Sequence, residues 1–295
     1  VPIRSPRSAK GGLGGFRGVL ARRSVRGPAD DAVWRGLAGA GWSAPGRASL
    51  DDARLVVRTL GRAAIEREGR PLPGVSPKAV ELAAVVARAG PAGVPRAEVA
   101  EALFEGSIDS ANYLRQLVHR LRRALPAGVT LESGDGRLSL RPADAVVAED
   151  GALEALLARA RGEVGDARQA TIEAALGLAA HGPYLPGADG DAAGERRGLL
   201  AGRVADALRE HASTLLAAGR AARAATAAAA AVAAEPYRED GWRLLMRARA
   251  AAEGPASAVE PFLECRDALA ELGLQPSAET VALLERLRDG AATAR

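Results

Sequence analysis

One short stretch, Asn112 to Leu125 with the sequence NYLRQLVHRLRRAL, concentrates side chains that can bind nucleic acid. It carries four arginines and no acid, together with Asn112, Gln116 and His119. Arginine, glutamine and asparagine can form paired hydrogen bonds with guanine or adenine in the major groove, and arginine also pairs with phosphate. This composition therefore allows DNA recognition. The alternative is an ordinary solvated helix face, although such faces usually mix both signs of charge.

The spacing of the stretch predicts an amphipathic helix over 110–125, because its residues separate into two faces at about 100° per residue. The apolar face consists of Leu114, Leu117, Val118, Leu121 and Leu125. The opposite face consists of Asn112, Gln116, His119 and Arg123, flanked by Arg115, Arg120 and Arg122. One face is thus suited to a protein core and the other to a negatively charged partner.

The elements around this helix are those of a winged helix. Residues 53–73 predict short strands with a turn at 68–70, and Ser76 followed by Pro77 is typical of a helix start. A second helix is expected over 95–104 after the turn GPAGVP, and Asp109 and Ser110 are candidate caps of the third. After the third helix, residues 129–140 predict a hairpin around Gly134-Asp135-Gly136. Arg137 and Arg141 lie on or just after this hairpin and could reach the DNA backbone.

The remainder of the chain, 146–295, is predicted to be helical throughout. Two pairs of similar segments recur at offsets of roughly 35 and 40 residues, close to the length of a tetratricopeptide repeat. Such helix pairs form either a groove for a partner or a plain scaffold, and the pattern leaves both open. Trp242 and Cys265 are interpreted as packing residues, and His181 and His211 as isolated from possible metal co-ligands.

Composition divides the chain and limits its function. Residues 1–50 carry nine basic and two acidic side chains, so we expect a basic, flexible N-terminal segment there, either a phosphate-binding arm or a linker. We expect a winged-helix domain over 51–145 and an all-α, tetratricopeptide-like domain over 146–295, in a mainly α fold. The single cysteine and the missing phosphate-loop and nucleophile motifs argue against an enzyme, a metal site or a cofactor. No apolar run predicts a membrane span, and a cytoplasmic protein is expected.

Several segments resemble one family: VVRTLGRAAIEREGRPLP, NYLRQLVHRLRRAL, ALGLAAHGPYLPG followed by ERRGLL and, most specifically, the segment 235–287 from EPYRED to LLERL. They are similar to the bacterial transcriptional activators that join an OmpR-type winged helix to a bacterial transcriptional activation domain, which include antibiotic regulators of the SARP type. The chain differs from the usual pattern at Phe104, where the family has tryptophan, and at Leu153, where it has an aromatic residue.

The resemblance implies that five residues face the major groove, namely Arg115, Gln116, His119, Arg120 and Arg123, and that Arg137 lies on the wing. It also implies that 146–290 contacts RNA polymerase or a second copy of the chain. The leading hypothesis is therefore an activator that reads promoter DNA. The alternative is a tetratricopeptide-type adaptor or sensor whose winged helix does not bind DNA.

Overall fold

The computed structural model describes residues 55–292, with side chains to residue 289, so the segment 1–50 lies outside the described residues. The strands are β1 Leu55–Arg58, β2 Ala64–Arg67, β3 Arg70–Pro71, β4 Val94–Pro95, β5 Thr130–Gly134, β6 Arg137–Arg141 and β7 Val146–Ala148. The helices are α1 Pro77–Arg88, α2 Arg96–Phe104, α3 Ser110–Ala124, α4 Glu149–Gly162, α5 Gly165–Ala179, α6 Asp191–Ala217, α7 Ala221–Ala234, α8 Glu239–Glu253, α9 Val259–Ala270 and α10 Ala278–Ala292. The expected fold, a winged helix followed by helical repeats, is confirmed.

The first sheet has the strand order β3-β2-β1-β7. Strands β1 to β3 are those expected over 53–73, and the turn between β2 and β3 places Glu68 and Gly69 at φ +52° and +75°. Strand β7 was not expected. It runs parallel to β1, with Leu55 opposite Val146, and three residues are too few to give a strand pattern of their own.

The second sheet, β4-β6-β5, is the wing. The predicted hairpin is confirmed as β5 and β6, joined by Asp135 and Gly136 at φ +50° and +70°, the geometry that Asp-Gly favours in two-residue turns. The segment GPAGVP is more than the turn it was expected to be. Its Val94 pairs with Leu138 and adds β4 as a third strand, a pairing that only the partner strand can specify.

The three helices of the first region fold largely as their patterns predict. Ser76 caps α1, its hydroxyl accepting from the backbone N–H of Ala79 at 3.3 Å. The apolar face of α3 packs against α1, α2 and β5. Of the two candidate caps, Asp109 is the N-cap residue of α3; its carboxylate makes no capping hydrogen bond with the backbone and accepts a 3.0 Å hydrogen bond from the side-chain amide of Asn112.

The helical repeat is built from neighbouring helices in contact, notably α6 with α7 and α7 with α8. Helix α7 is rich in alanine, which lets the flanking helices approach closely, and its Ala224, Ala228 and Ala231 are fully buried. The packing roles predicted for Trp242 and Cys265 are confirmed. The indole N–H of Trp242 donates to the Pro236 carbonyl at 2.8 Å, and Cys265 is fully buried.

Two buried carboxylates at the start of α4 join the repeat to the first sheet. Glu149 accepts from the backbone N–H groups of Thr59 and Leu60 at 3.0 and 3.2 Å, and from the guanidinium of Arg58 at 2.7 Å. Burial acts to raise the pKa of Glu149, but its hydrogen-bond donors outweigh that effect and hold the pKa below its usual range. The carboxylate therefore remains ionised where it fixes the β1–β2 loop.

The neighbouring carboxylate, Asp150, is also fully buried and binds three side chains. It accepts from Arg88 of α1 at 2.8 Å, from Arg196 of α6 at 2.8 Å and from the hydroxyl of Thr59 at 3.0 Å. Buried charges are tolerated where they are paired and hydrogen-bonded in this way. Helices from both regions of the chain thus meet at one residue.

Backbone contacts close the same junction. The N–H of Gly61 donates to the Pro183 carbonyl at 2.9 Å, and a Cβ at Gly61 would overlap the His181 carbonyl oxygen, so only glycine fits. His181 also lies 3.0 Å from Glu149, which corrects its expected isolation from other possible ligands.

The division of the chain into 51–145 and 146–295 stays a prediction, since β7 follows that boundary and still pairs with β1.

Candidate nucleic-acid interface

The polar face of α3 is open to solvent. Leu114, Leu117, Val118 and Leu121 are buried, as the helical wheel predicts. The exposed side chains on the other side are Arg115, Gln116, His119, Arg120, Arg122 and Arg123, and Asn112 is half-buried at the start of the helix. With 15 residues, α3 is about 22 Å long. This surface has the size and shape of an element that fits a major groove.

Three of these side chains have no hydrogen bond or ion pair with any residue in 55–289: Arg115, His119 and Arg123. Gln116 accepts only a long hydrogen bond of 3.4 Å from Arg120. Because α3 itself carries no acid, its cations are not neutralised along the helix. Their donors face solvent and are available to an external acceptor.

The remaining predicted arginines are attached to the body of the winged helix. Arg122 donates to the Leu131 carbonyl of β5 at 2.7 Å, and Arg141 donates to the Pro91 carbonyl at 3.1 Å. Arg137 donates to the carbonyls of residues 92 and 93 at 2.9 and 2.8 Å. These contacts fix the wing against α3 and against the loop before β4. They use some guanidinium donors and leave others open, since arginine has five.

Sequence reasoning missed two residues beside this surface. Arg96, the first residue of α2, donates to the Ser133 hydroxyl of the wing at 3.2 Å. Tyr113 of α3 is 48% exposed, and its ring centroid lies 5.8 Å from that of Phe104. Tyr113 could have been identified from the sequence, because it is an aromatic residue among the arginines of α3. Arg96 could not, because only folding brings the hairpin next to it.

Metal, thiol and membrane sites have little support among the described residues. Within 55–289, no group of three or more His, Cys, Asp or Glu side chains could hold a metal ion. Burial raises the pKa of the Cys265 thiol to about 11, which disfavours a reactive thiolate. None of the described helices is both long and apolar enough to cross a membrane.

Comparisons with known proteins identify the second half of the chain. Residues 143–288 match the family model of the bacterial transcriptional activator domain. A comparison with curated proteins gives no match. Among solved structures, the chain is similar to Mycobacterium tuberculosis EmbR in complex with a low affinity phosphopeptide, at 23% identity and a TM-score of 0.66.

That similarity covers 80% of this chain and 65% of the EmbR chain, so the chain spans less than two thirds of the EmbR length. At this identity the likeness shows a shared fold, which includes the winged helix as well as the repeat. The family model and the fold agree with the resemblance of the sequence motifs and confirm it. Residues 143–288 belong to the bacterial transcriptional activator domain family, and the chain shares its fold with EmbR.

Proposed function

We propose that the chain is a transcriptional activator that binds promoter DNA through α3. The observation that carries the proposal is the exposed, acid-free face of α3, on which Arg115, His119 and Arg123 have no partner among the described side chains. An exposed cation with no neighbouring acid is suited to bind phosphate. Arginine is also suited to guanine, because it can donate two hydrogen bonds to the same base. Inserted in the major groove, this face would present both chemistries.

The predicted residues divide into two groups in this proposal. Five would contact bases or phosphates in the major groove, and these are Arg115, Gln116, His119, Arg120 and Arg123. Asn112 would act at the start of the helix, where its amide also binds Asp109. Phosphate contacts would position the protein, whereas contacts with base edges would select the sequence.

The arginines of the second group would hold and extend the wing. Arg137 and Arg141 bind backbone carbonyls through some of their donors and would bind the DNA backbone through the others. Arg122 ties α3 to β5 by its hydrogen bond with Leu131, so its main role would be to set the angle between helix and wing. This assigns Arg122 a positioning role that its place on the helical wheel did not predict.

DNA binding is tested with a duplex selected from a random pool, by fluorescence anisotropy at several salt concentrations. Each phosphate that the protein neutralises should contribute about −0.9 to the slope of log K against log salt. Gln116→Ala and Arg123→Ala should each weaken the selected duplex by about 1 to 3 kcal/mol relative to a scrambled one if they read bases. Arg286→Ala is the matched control, because Arg286 is an exposed arginine of α10 without a partner within 55–289.

An equal loss on both duplexes would assign Gln116 and Arg123 to backbone contacts. If the unmodified chain had no measurable affinity for any duplex at low salt, the proposal would fail. The chain would then be better described as an adaptor or sensor that has kept the winged-helix fold without its DNA binding.

The second part of the proposal is that the repeat recruits a protein partner, RNA polymerase or a second copy of the chain. It is supported by partly exposed apolar side chains near the end of the repeat, at Leu263, Leu272, Leu274 and Val281. Leu272 and Leu274 are two residues apart in the sequence, and adjoining apolar side chains exposed to water are typical of protein contact surfaces. Leu272→Asp with Leu274→Asp should abolish activation of a reporter while leaving DNA affinity unchanged. Loss of DNA affinity in that variant would contradict this division of roles.

A further inference from the structure

A cleft of about 520 Å³ opens where the winged helix meets the repeat. The winged helix contributes the start of α1 and the end of α2, and the repeat contributes the loop 185–190 before α6. The apolar part of the lining comes from Ala63, Ala102, Leu103, Phe104, Leu185 and Ala188. Small molecules commonly bind in clefts of this size between two packed regions of a chain.

A buried carboxylate, that of Glu81 in α1, lines this cleft and a smaller cavity of about 180 Å³ that shares part of its wall. Glu81 is only 4% exposed. Within 55–289, its carboxylate has one ion pair, to the Lys78 ammonium 2.8 Å from Oε2, and accepts no hydrogen bond. The buried carboxylates of Glu149 and Asp150 each accept from several donors. Glu81 therefore keeps acceptor capacity that a ligand in the cleft can use.

The position of Lys78 shows which chemistry this carboxylate selects. The Lys78 ammonium also lies 5.7 Å from the centroid of the Phe104 ring, so a carboxylate and an aromatic face flank one cation. The same two partners hold organic ammonium ions in binding sites. Lys78 is the second residue of α1, where the helix dipole disfavours a cation, and 35% of its side chain is exposed. Its ammonium can therefore move into solvent when a ligand ammonium replaces it.

The other charges of the cleft favour a cation as well. Glu105 and Asp189 line it, and both are exposed and have no partner within 55–289. Together with Glu81 they face a single cation in the lining, that of Lys78. The two arginines of the smaller cavity already bind the carboxylate of Asp150. A net negative, partly apolar cleft attracts a cation with an apolar body and repels an anion.

We propose that this cleft binds a small aromatic primary amine, with its ammonium at Glu81 and its ring against Leu103, Phe104 and Leu185. The bound amine contacts α1, α2 and the loop before α6, so it stabilises the junction between the winged helix and the repeat. Lys78 is the internal cation with which it competes. The proposal does not depend on DNA binding.

Isothermal titration calorimetry of the full chain tests the proposal, with phenethylamine and tryptamine as probes. Phenethyl alcohol and hydrocinnamate are the matched control ligands, because they carry a similar apolar body with no charge and with a negative charge. We expect both amines to bind, the alcohol to bind at least about tenfold more weakly, and the carboxylate not to bind.

Glu81→Gln should weaken amine binding by about tenfold or more, because it removes the charge and keeps the shape of the side chain. Glu101→Gln is the matched control, since Glu101 is an exposed glutamate of α2 that does not line the cleft. Ala102→Phe adds a ring to the wall of the cleft without changing a charge, and it should also abolish binding. Thermal unfolding followed by circular dichroism shows that each variant is folded.

Lys78→Met gives a change of opposite sign. It removes the competing ammonium, so amines should bind more tightly and should raise the Tm of this variant more than that of the unmodified chain. A purely structural lysine would not produce this effect. The proposal is overturned if neither amine binds the unmodified chain at millimolar concentration, if Glu81→Gln and Glu101→Gln behave alike, or if Lys78→Met weakens binding. Tighter binding of hydrocinnamate than of phenethylamine would assign the cleft to anions and would also overturn it.

Discussion

Glu149→Ala is the substitution for which the structure predicts the largest cost at the junction. Removal of the carboxylate leaves the backbone N–H groups of Thr59 and Leu60 without an acceptor, and both residues are buried. Each such orphaned donor costs about 1 to 3 kcal/mol. Arg58 keeps its ion pair with Glu66 at 2.7 Å, so its charge is not left alone. The expected loss is about 4 kcal/mol of unfolding free energy, within the range for breaking a buried ion pair.

Urea unfolding at pH 7, followed by circular dichroism, measures this loss. Glu149→Gln should cost only about 1 to 2 kcal/mol, because the amide oxygen can still accept from the backbone while the ionic contribution is lost. Glu101→Ala, at an exposed glutamate of α2 without a partner within 55–289, should change stability by less than about 0.5 kcal/mol. If Glu149→Ala cost no more than Glu101→Ala, the carboxylate would not hold the β1–β2 loop as described.

Three further predictions concern pH, backbone fit and thiol chemistry. The pKa of Glu149 is lower in the folded chain than in the unfolded chain, so the stability that its carboxylate contributes is fully present above the unfolded pKa of about 4.3 and is lost as pH falls through the folded pKa. The free energies of unfolding of the unmodified chain and of Glu149→Gln, measured in urea, should therefore converge at low pH. Gly61→Ala should lower Tm far more than Gly69→Ala, since both have positive φ but only the first places a methyl group on the His181 carbonyl. Cys265 should not react with a thiol reagent at pH 8 until urea unfolds the chain, because its pKa is raised to about 11.

Much of the fold could be predicted from the sequence because the signals are local. The Leu/Val face of α3 follows from its spacing alone, and Asp135-Gly136 determines a two-residue turn by its own backbone preferences. The start of α1 at Ser76-Pro77 is likewise a property of adjacent residues. The four arginines of α3 were found in the same way, from residue types repeated along one helix, and Arg137 and Arg141 from their place in the predicted hairpin.

The sequence by itself therefore determined strands β1–β3, β5 and β6, the three helices of the winged helix and the polar face of α3, whereas β4 and β7 depended on their partner strands. Only the tertiary structure decided which of the candidate arginines are open to a partner, since Arg123 meets solvent whereas Arg122 donates to a carbonyl of β5. It also decided how the two regions join, through Glu149 and the loop at Thr59, which are 90 residues apart in the chain. The physical reason is that helix periods and turns depend on neighbouring residues, whereas a buried carboxylate is satisfied by donors that only folding brings to it.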